Sequence, residues 1–150
     1  MSLESMTALE RITIEMEHVV PLVRDLQAIL GDRVVREALA ERQRRRAEAA
    51  RRSALPAIEA PAIAPALATF AAGEALEYEI VRADSDALEV DVTRCAYVAL
   101  MDRLDARDLG PVLLCDRDHE LAATAGLELV RTTTCMQGGA CCDFRFRRRR

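Results

Sequence analysis

The chain has 150 residues, 51% of them hydrophobic and 31% charged, with a formal net charge of −4. That size and mix suit a globular fold around one hydrophobic core. The negative balance argues against a general nucleic-acid binder, whose phosphate contacts need local positive potential, and no run approaches the roughly 20 apolar residues of a membrane span.

All 21 basic residues are arginine, and lysine and asparagine are absent, which points to GC-rich coding more than to function. The opening stretch MSLESMTALERITIEME is too acidic for a signal peptide and lacks its apolar segment. The thiols are therefore expected in a reducing, cytoplasmic setting. Five cysteines fit that expectation, since an odd number cannot pair completely within the chain.

Apolar residues recur at helical spacing at Leu9, Ile12, Met16 and Val19–Val20, then at Leu22, Leu26, Ile29–Leu30 and Val34. This predicts helices over 3–20 and 22–52. Pro21 should break or kink the chain between them, with Gly31 as a second interruption. Beyond Leu39 the stripe thins into RQRRRAEAARR (42–52), an arginine run that reads as a solvated face or a contact with a partner subunit. About 30 residues of apolar-striped helix exceed what one small sheet must cover, so segment 1–52 is expected to build a homo-oligomer.

Residues 53–74 hold three of the five prolines among alanines and form a connector, with a short helix over 64–70. In region 75–150 the pattern changes. Leu76, Tyr78 and Ile80 alternate with Glu77 and Glu79, and Leu88, Val90 and Val92 with Glu89 and Asp91, so 75–94 reads as an antiparallel hairpin around RADSDA. CAYVALMDRLDARDLG (95–110) is an amphipathic helix with Val98, Met101 and Leu104 inward, and PVLLCDRDHELAATAG begins a second, shorter one. LELVRTTTCM and CCDFRF close the chain as two strands around QGGA, with Cys142, Phe144 and Phe146 on one face. The order predicts an α+β domain: N-terminal helices followed by an antiparallel sheet (two hairpins) with a helix pair between them.

Three thiols lie where the backbone changes direction: Cys95 at a strand-to-helix junction, Cys115 before an acidic helix start, Cys142 after a glycine turn. Packing alone would account for each, because free cysteine behaves as a small hydrophobe. Metal binding is a second option. Cys115 and His119 are four apart, as on one helix face, but no paired zinc spacing accompanies them, and Cys141 and Cys142 would point to opposite faces of a strand. No metal or cofactor is expected. Catalysis is the third. A helix start or a neighbouring base could activate Cys95 or Cys115, and Asp118, walled by Leu113, Leu114 and Leu121, could be desolvated into a general base. Asp116 and Asp118 could equally be helix N-caps. His18 reads as structural.

VDVTRCAY, LGPVLLCDRDHE and LVRTTTCMQGGACCDFRF resemble, in that order, the L-2-amino-thiazoline-4-carboxylic acid hydrolase family. The resemblance covers residues 75–147 and leaves the arginine-rich N-terminal helix outside. Cys95, Cys115, Asp118, Arg131, Thr132, Thr134, Gly138, Cys142, Asp143 and Phe144 fall on the family's pattern. Gly139 departs from it, since many relatives carry an acidic residue there. The resemblance implies a hydrolase that opens a small cyclic amidine or isothiourea-type ring, whose C2 is electrophilic once the ring nitrogen is protonated. Asp118 would activate water, or a thiolate would attack C2, Cys142 first and Cys95 second. Asp143 or His119 would protonate the departing group, and Arg131 would pair with a substrate carboxylate, with Thr134 also in a binding role. The implied partner is a small-molecule substrate, with no nucleic acid and no membrane. The ending also looks like that of vinyl-reductase (4VR) type small-molecule-binding domains, which implies instead a sensor module without turnover.

Overall fold

The computed structural model describes residues 5–149. A capping box opens the first helix. Thr7 Oγ1 accepts the Glu10 N–H at 3.2 Å, and the Glu10 carboxylate accepts the Thr7 N–H at 2.7 Å. From there α1 (Ala8–Leu30) runs without a break through Pro21. The expected boundary at residue 21 is thus corrected. Proline removes one backbone bond, but buried Met16, Val20 and Val23 pin the turns on either side. The break comes at Gly31, whose φ of 90° no L-residue adopts easily. Then α2 (Asp32–Ser53) packs back against α1. Residues 3 and 4 of the expected first helix lie outside the described residues. The arginines of the run on α2 are exposed; Arg44 and Arg45 pair with Glu41 and Arg52 with Glu48 of the same helix, while Arg46 pairs with Glu120.

Within the connector lies α3 (Ala64–Ala71), within a residue of its expected span. The strands are β1 (Leu76–Ala83), β2 (Ala87–Cys95), β3 (Leu127–Val130) and β4 (Cys142–Arg148). They form one antiparallel sheet in the order β1-β2-β4-β3, so β4, the second strand of the second expected hairpin, lies between β3 and β2 and joins that hairpin to the first. As the edge strand, β1 leaves Tyr78 and Ile80 exposed. The extended run expected through residue 136 stops at Val130. Residues 131–141 instead form a long loop with a 3₁₀ turn at Cys135–Gln137, capped when Thr134 Oγ1 accepts the Gln137 N–H.

Between the hairpins, α4 (Ala96–Arg103) is shorter than the expected 95–110 and ends where Asp105 takes φ 50°. Its inward face is carried by Tyr97, Leu100 and Met101. A 3₁₀ turn, a π-helical turn over Pro111–Cys115 and α5 (Arg117–Thr124) follow. Two apolar clusters result. One joins α1 to α4 and the 109–113 turns. The other covers one face of the sheet with residues of the connector and of α5. Among the described residues no helix is long and apolar enough to cross a membrane.

Candidate active site

A cavity of about 90 Å³ lies where the two clusters meet. Cys95 reaches it from the end of β2, Cys115 from the π-helical turn, Asp118 from the first turn of α5, Arg131 from just beyond β3, and Cys142 from the start of β4. These residues are up to 47 positions apart in sequence (142 minus 95) and converge because β4 lies beside β2, not at the sheet's edge. The rest of the wall is almost wholly apolar, including Leu67, Phe70, Leu121, Phe144 and Phe146.

Asp118 and Arg131 form the polar centre. Arg131 Nη1 donates to Asp118 Oδ2 at 2.6 Å, and Nη2 to the Cys115 carbonyl at 3.0 Å. The guanidinium also lies 5.2 Å over the Phe144 ring. Its side chain is 6% exposed, whereas that of Asp118 keeps 31% and remains reachable from solvent. Burial among apolar walls pushes the Asp118 carboxyl up to about 6, and Arg131 only partly offsets this. One arm of the guanidinium thus holds the aspartate and the other a backbone carbonyl.

All five cysteines are free thiols. Burial raises the three that line the cavity: Cys115 to about 12, Cys142 strongly, and Cys95 less, because the N–H groups of Tyr97 and Val98 at the start of α4 pull the other way. Cys142 Sγ accepts the Cys135 N–H at 3.2 Å, and Cys135 Sγ donates to the Val92 carbonyl at 3.4 Å, which ties the 131–141 loop to the sheet.

The remaining candidates lie elsewhere. Asp143 is absent from the cavity wall and braces the loop: its carboxylate accepts the Thr132 and Thr133 N–H groups, both at 2.8 Å, and the Thr132 hydroxyl at 2.6 Å. Burial works against that anion, but these bonds together hold it below the usual carboxylate range. His119 is exposed and turns toward α2, beside Arg51 and Asp116. Cys115 precedes α5, so the four-residue spacing does not put Cys115 and His119 on one helix face. Asp116 occupies the N-cap position but makes no side-chain cap bond. Thr134 is buried in its 3₁₀ cap. At Gly139, where the family pattern often has an acidic residue, a Cβ would run into Thr133 Oγ1 and the Thr134 carbonyl. Among the described residues no three His, Cys, Asp or Glu side chains are grouped to hold a metal ion.

Tyr97 is a cavity residue that the sequence reading passed over. Its hydroxyl donates to the Phe70 carbonyl at 3.1 Å, and burial raises it to about 12. The only cue was its place two residues after Cys95. Beyond Tyr97 and Asp118 lies a second hollow of about 80 Å³, which shares both residues and adds Ile12 and Arg117. Arg117 is paired there with Glu15 of α1 at 3.1 Å.

The family model of the L-2-amino-thiazoline-4-carboxylic acid hydrolases matches residues 11–146. It thus takes in α1 and α2, which the motif resemblance had left out. No curated protein and no solved structure gives a significant match. A match over nearly the whole chain, with Cys95, Cys115, Asp118, Arg131 and Cys142 gathered in one cavity, places this chain in the L-2-amino-thiazoline-4-carboxylic acid hydrolase family.

Proposed function

We propose that the chain hydrolyses a small cyclic isothiourea or amidine, with Asp118 as general base for water attack on ring C2. The observation that carries this reading is a carboxylate set in apolar walls and gripped by Arg131, yet with part of its side chain open to solvent; burial pushes it up to about 6. Such a group is ionised at neutral pH and still basic enough to take a proton. For an isothiourea, water oxygen bonds to C2 while its proton passes to Asp118. The C2–S bond breaks with its electron pair going to sulfur, which then takes the proton from Asp118. The ring nitrogen keeps the proton it carried in, and the remaining hydroxyl proton leaves to solvent as the carbonyl forms, giving a carbamoyl group and a free thiol. Arg131 acts as the positioning residue for Asp118.

Water attack suits the site better than thiolate attack, because burial keeps Cys95, Cys115 and Cys142 in their protonated, weakly nucleophilic form. Asp143 and His119 fit structural roles in the loop and at the α2 contact. Product formation from 2-aminothiazoline rings, followed by chromatography, tests the scheme. Asp118→Asn should cut kcat at least ~100-fold, while Cys142→Ala should stay within about tenfold. The reverse pattern would make the thiol the nucleophile. Tight binding without turnover by the unaltered chain would favour the non-catalytic binding module. We also propose that the chain self-associates through α1.

A further inference from the structure

We infer that Arg117, in the hollow beside the cavity, binds a carboxylate carried by the ring whose N–C–N unit faces Asp118. The ring chemistry rests on the hydrolase reading, whereas the place of the carboxylate rests on the geometry of the second hollow alone. Phe70, Tyr97, Leu114, Asp118 and Leu121 line both hollows, so Asp118 stands where the two adjoin. A hollow of about 90 Å³ has room for the ring with its amino group and little else. The second, of about 80 Å³, takes what the ring carries, and Arg117 is its one basic side chain among the described residues.

Two arginines compete for an incoming carboxylate. Arg131 keeps N–H groups without a partner among the described residues, but its side chain is 6% exposed and one arm already holds Asp118. A carboxylate there would share one buried cation with the base, and disturbing a buried pair is strongly destabilising. Arg117 is 40% exposed, and only its Nη1 is engaged, donating to the two Glu15 oxygens at 3.2 and 3.1 Å. Its Nε and Nη2 are left to grip a carboxylate side-on, the pairing that suits a guanidinium. If the newcomer displaces Glu15 instead, only an exposed ion pair is lost, which costs little. Arg117 and Asp118 open α5 together, so the fold sets a cation and an anion side by side. The charge of Arg117 reaches Asp118 and helps to lower its carboxyl. A protonated amidine or isothiourea that bears a carboxylate has the complementary order, cation toward Asp118 and anion toward Arg117.

Calorimetric titration of the full chain with 2-aminothiazoline-4-carboxylate and with unsubstituted 2-aminothiazoline tests this. The carboxylate ring should bind roughly 10-fold more tightly than the bare ring. Arg117→Gln should abolish that advantage by weakening the carboxylate ring alone. Glu15→Gln removes the competing anion and should leave the carboxylate ring bound as tightly or more tightly. Equal binding of the two rings by the unaltered chain overturns the assignment, and so does the absence of measurable binding by both. An equal loss for both rings in Arg117→Gln overturns it too, as does weaker binding of the carboxylate ring in Glu15→Gln, since the ion pair would then serve the fold alone. Product is scored separately in the same solutions by chromatography. The expected binding pattern without any product keeps this inference and removes the hydrolase reading. Product from both rings, with neither depending on Arg117, does the reverse.

Discussion

Asp118 is subject to two opposed influences, and in the proposed base role their balance would set the pH at which the site works. Burial raises the carboxyl, and both the charge and the hydrogen bond of Arg131 lower it, leaving it at about 6. Because the folded value exceeds the unfolded one, the fold favours the neutral acid. That contribution to stability is complete below the ordinary aspartate range and is lost as pH climbs through about 6. Activity runs the other way, since a base must be ionised: kcat/KM should rise with pH and level off above about 6. Arg131→Gln deletes both lowering influences, so the rising limb should move to higher pH while the plateau rate falls. A limb that stays in place in the variant would mean that another group titrates. Much of this cavity's lining was legible in the sequence: Cys95, Cys115 and Cys142 sit where the chain changes direction, Asp118 stands among leucines that could desolvate it, and Arg131 came from the motif resemblance. Tyr97 was not, since a tyrosine in the first turn of a helix reads as core. Asp143 and His119 neighbour cavity residues in sequence, but neither reaches the cavity: β4 points successive side chains to opposite faces, and α5 turns His119 toward α2.

At the scale of elements, arginines of the α1–α2 hairpin hold the segment that carries the site. Arg24 donates to Asp108 at 2.7 Å, Arg36 also reaches Asp108, and Arg46 grips Glu120 at 2.7 Å. The hydrogen bond from Arg24 chiefly, with that from Arg36, takes the Asp108 carboxyl down to about 2 against a smaller effect of burial. A lowered folded value has a defined sign. The stabilisation is present above the ordinary aspartate range and disappears as pH falls through about 2. Asp108 is half exposed, so solvent screens much of its charge, and its share is on the order of 1 kcal/mol. Asp108→Asn should therefore lower Tm by roughly 2–4 °C at pH 7, and the gap should close as pH approaches 2. A gap that persists at pH 2 would assign the loss to packing. The hairpin also marks the limit of sequence reading for elements. Hydrophobic spacing gave both helices but put their boundary at Pro21, because a proline's local cost is visible in sequence and the tertiary contacts that override it are not. The β3 boundary was misjudged for a similar reason: TTTCM has strand propensity, but Arg131 turns inward to Asp118 and takes the backbone out of the ladder.

For the whole molecule, what matters is how much apolar surface one copy leaves uncovered. The family match begins at residue 11, so the N-terminal helices belong to the family's fold. The motif resemblance stopped at residue 75 because cysteine and arginine motifs identify a family, whereas helical periodicity is common to many. One stripe of α1 is buried through Met16, Val20 and Val23. A second, through Ile14, Leu22, Leu26 and Ile29, stays on the surface, with Leu22 at 58% and Ile29 at 77% exposure. Val34, just past Gly31, extends it. The proposed self-association would use this stripe, since exposed apolar surface favours association and a second copy would supply a stripe of the same length. A two-fold pairing of α1 with α1 would bury each stripe against its counterpart. Light scattering should then give a mass that is a multiple of the chain's. Leu22→Glu with Ile29→Glu should reduce it to one chain without loss of helical circular dichroism, since neither side chain belongs to the buried stripe. If the unaltered chain is monomeric at tens of micromolar, the exposed stripe has some other use and the pairing of α1 helices is wrong.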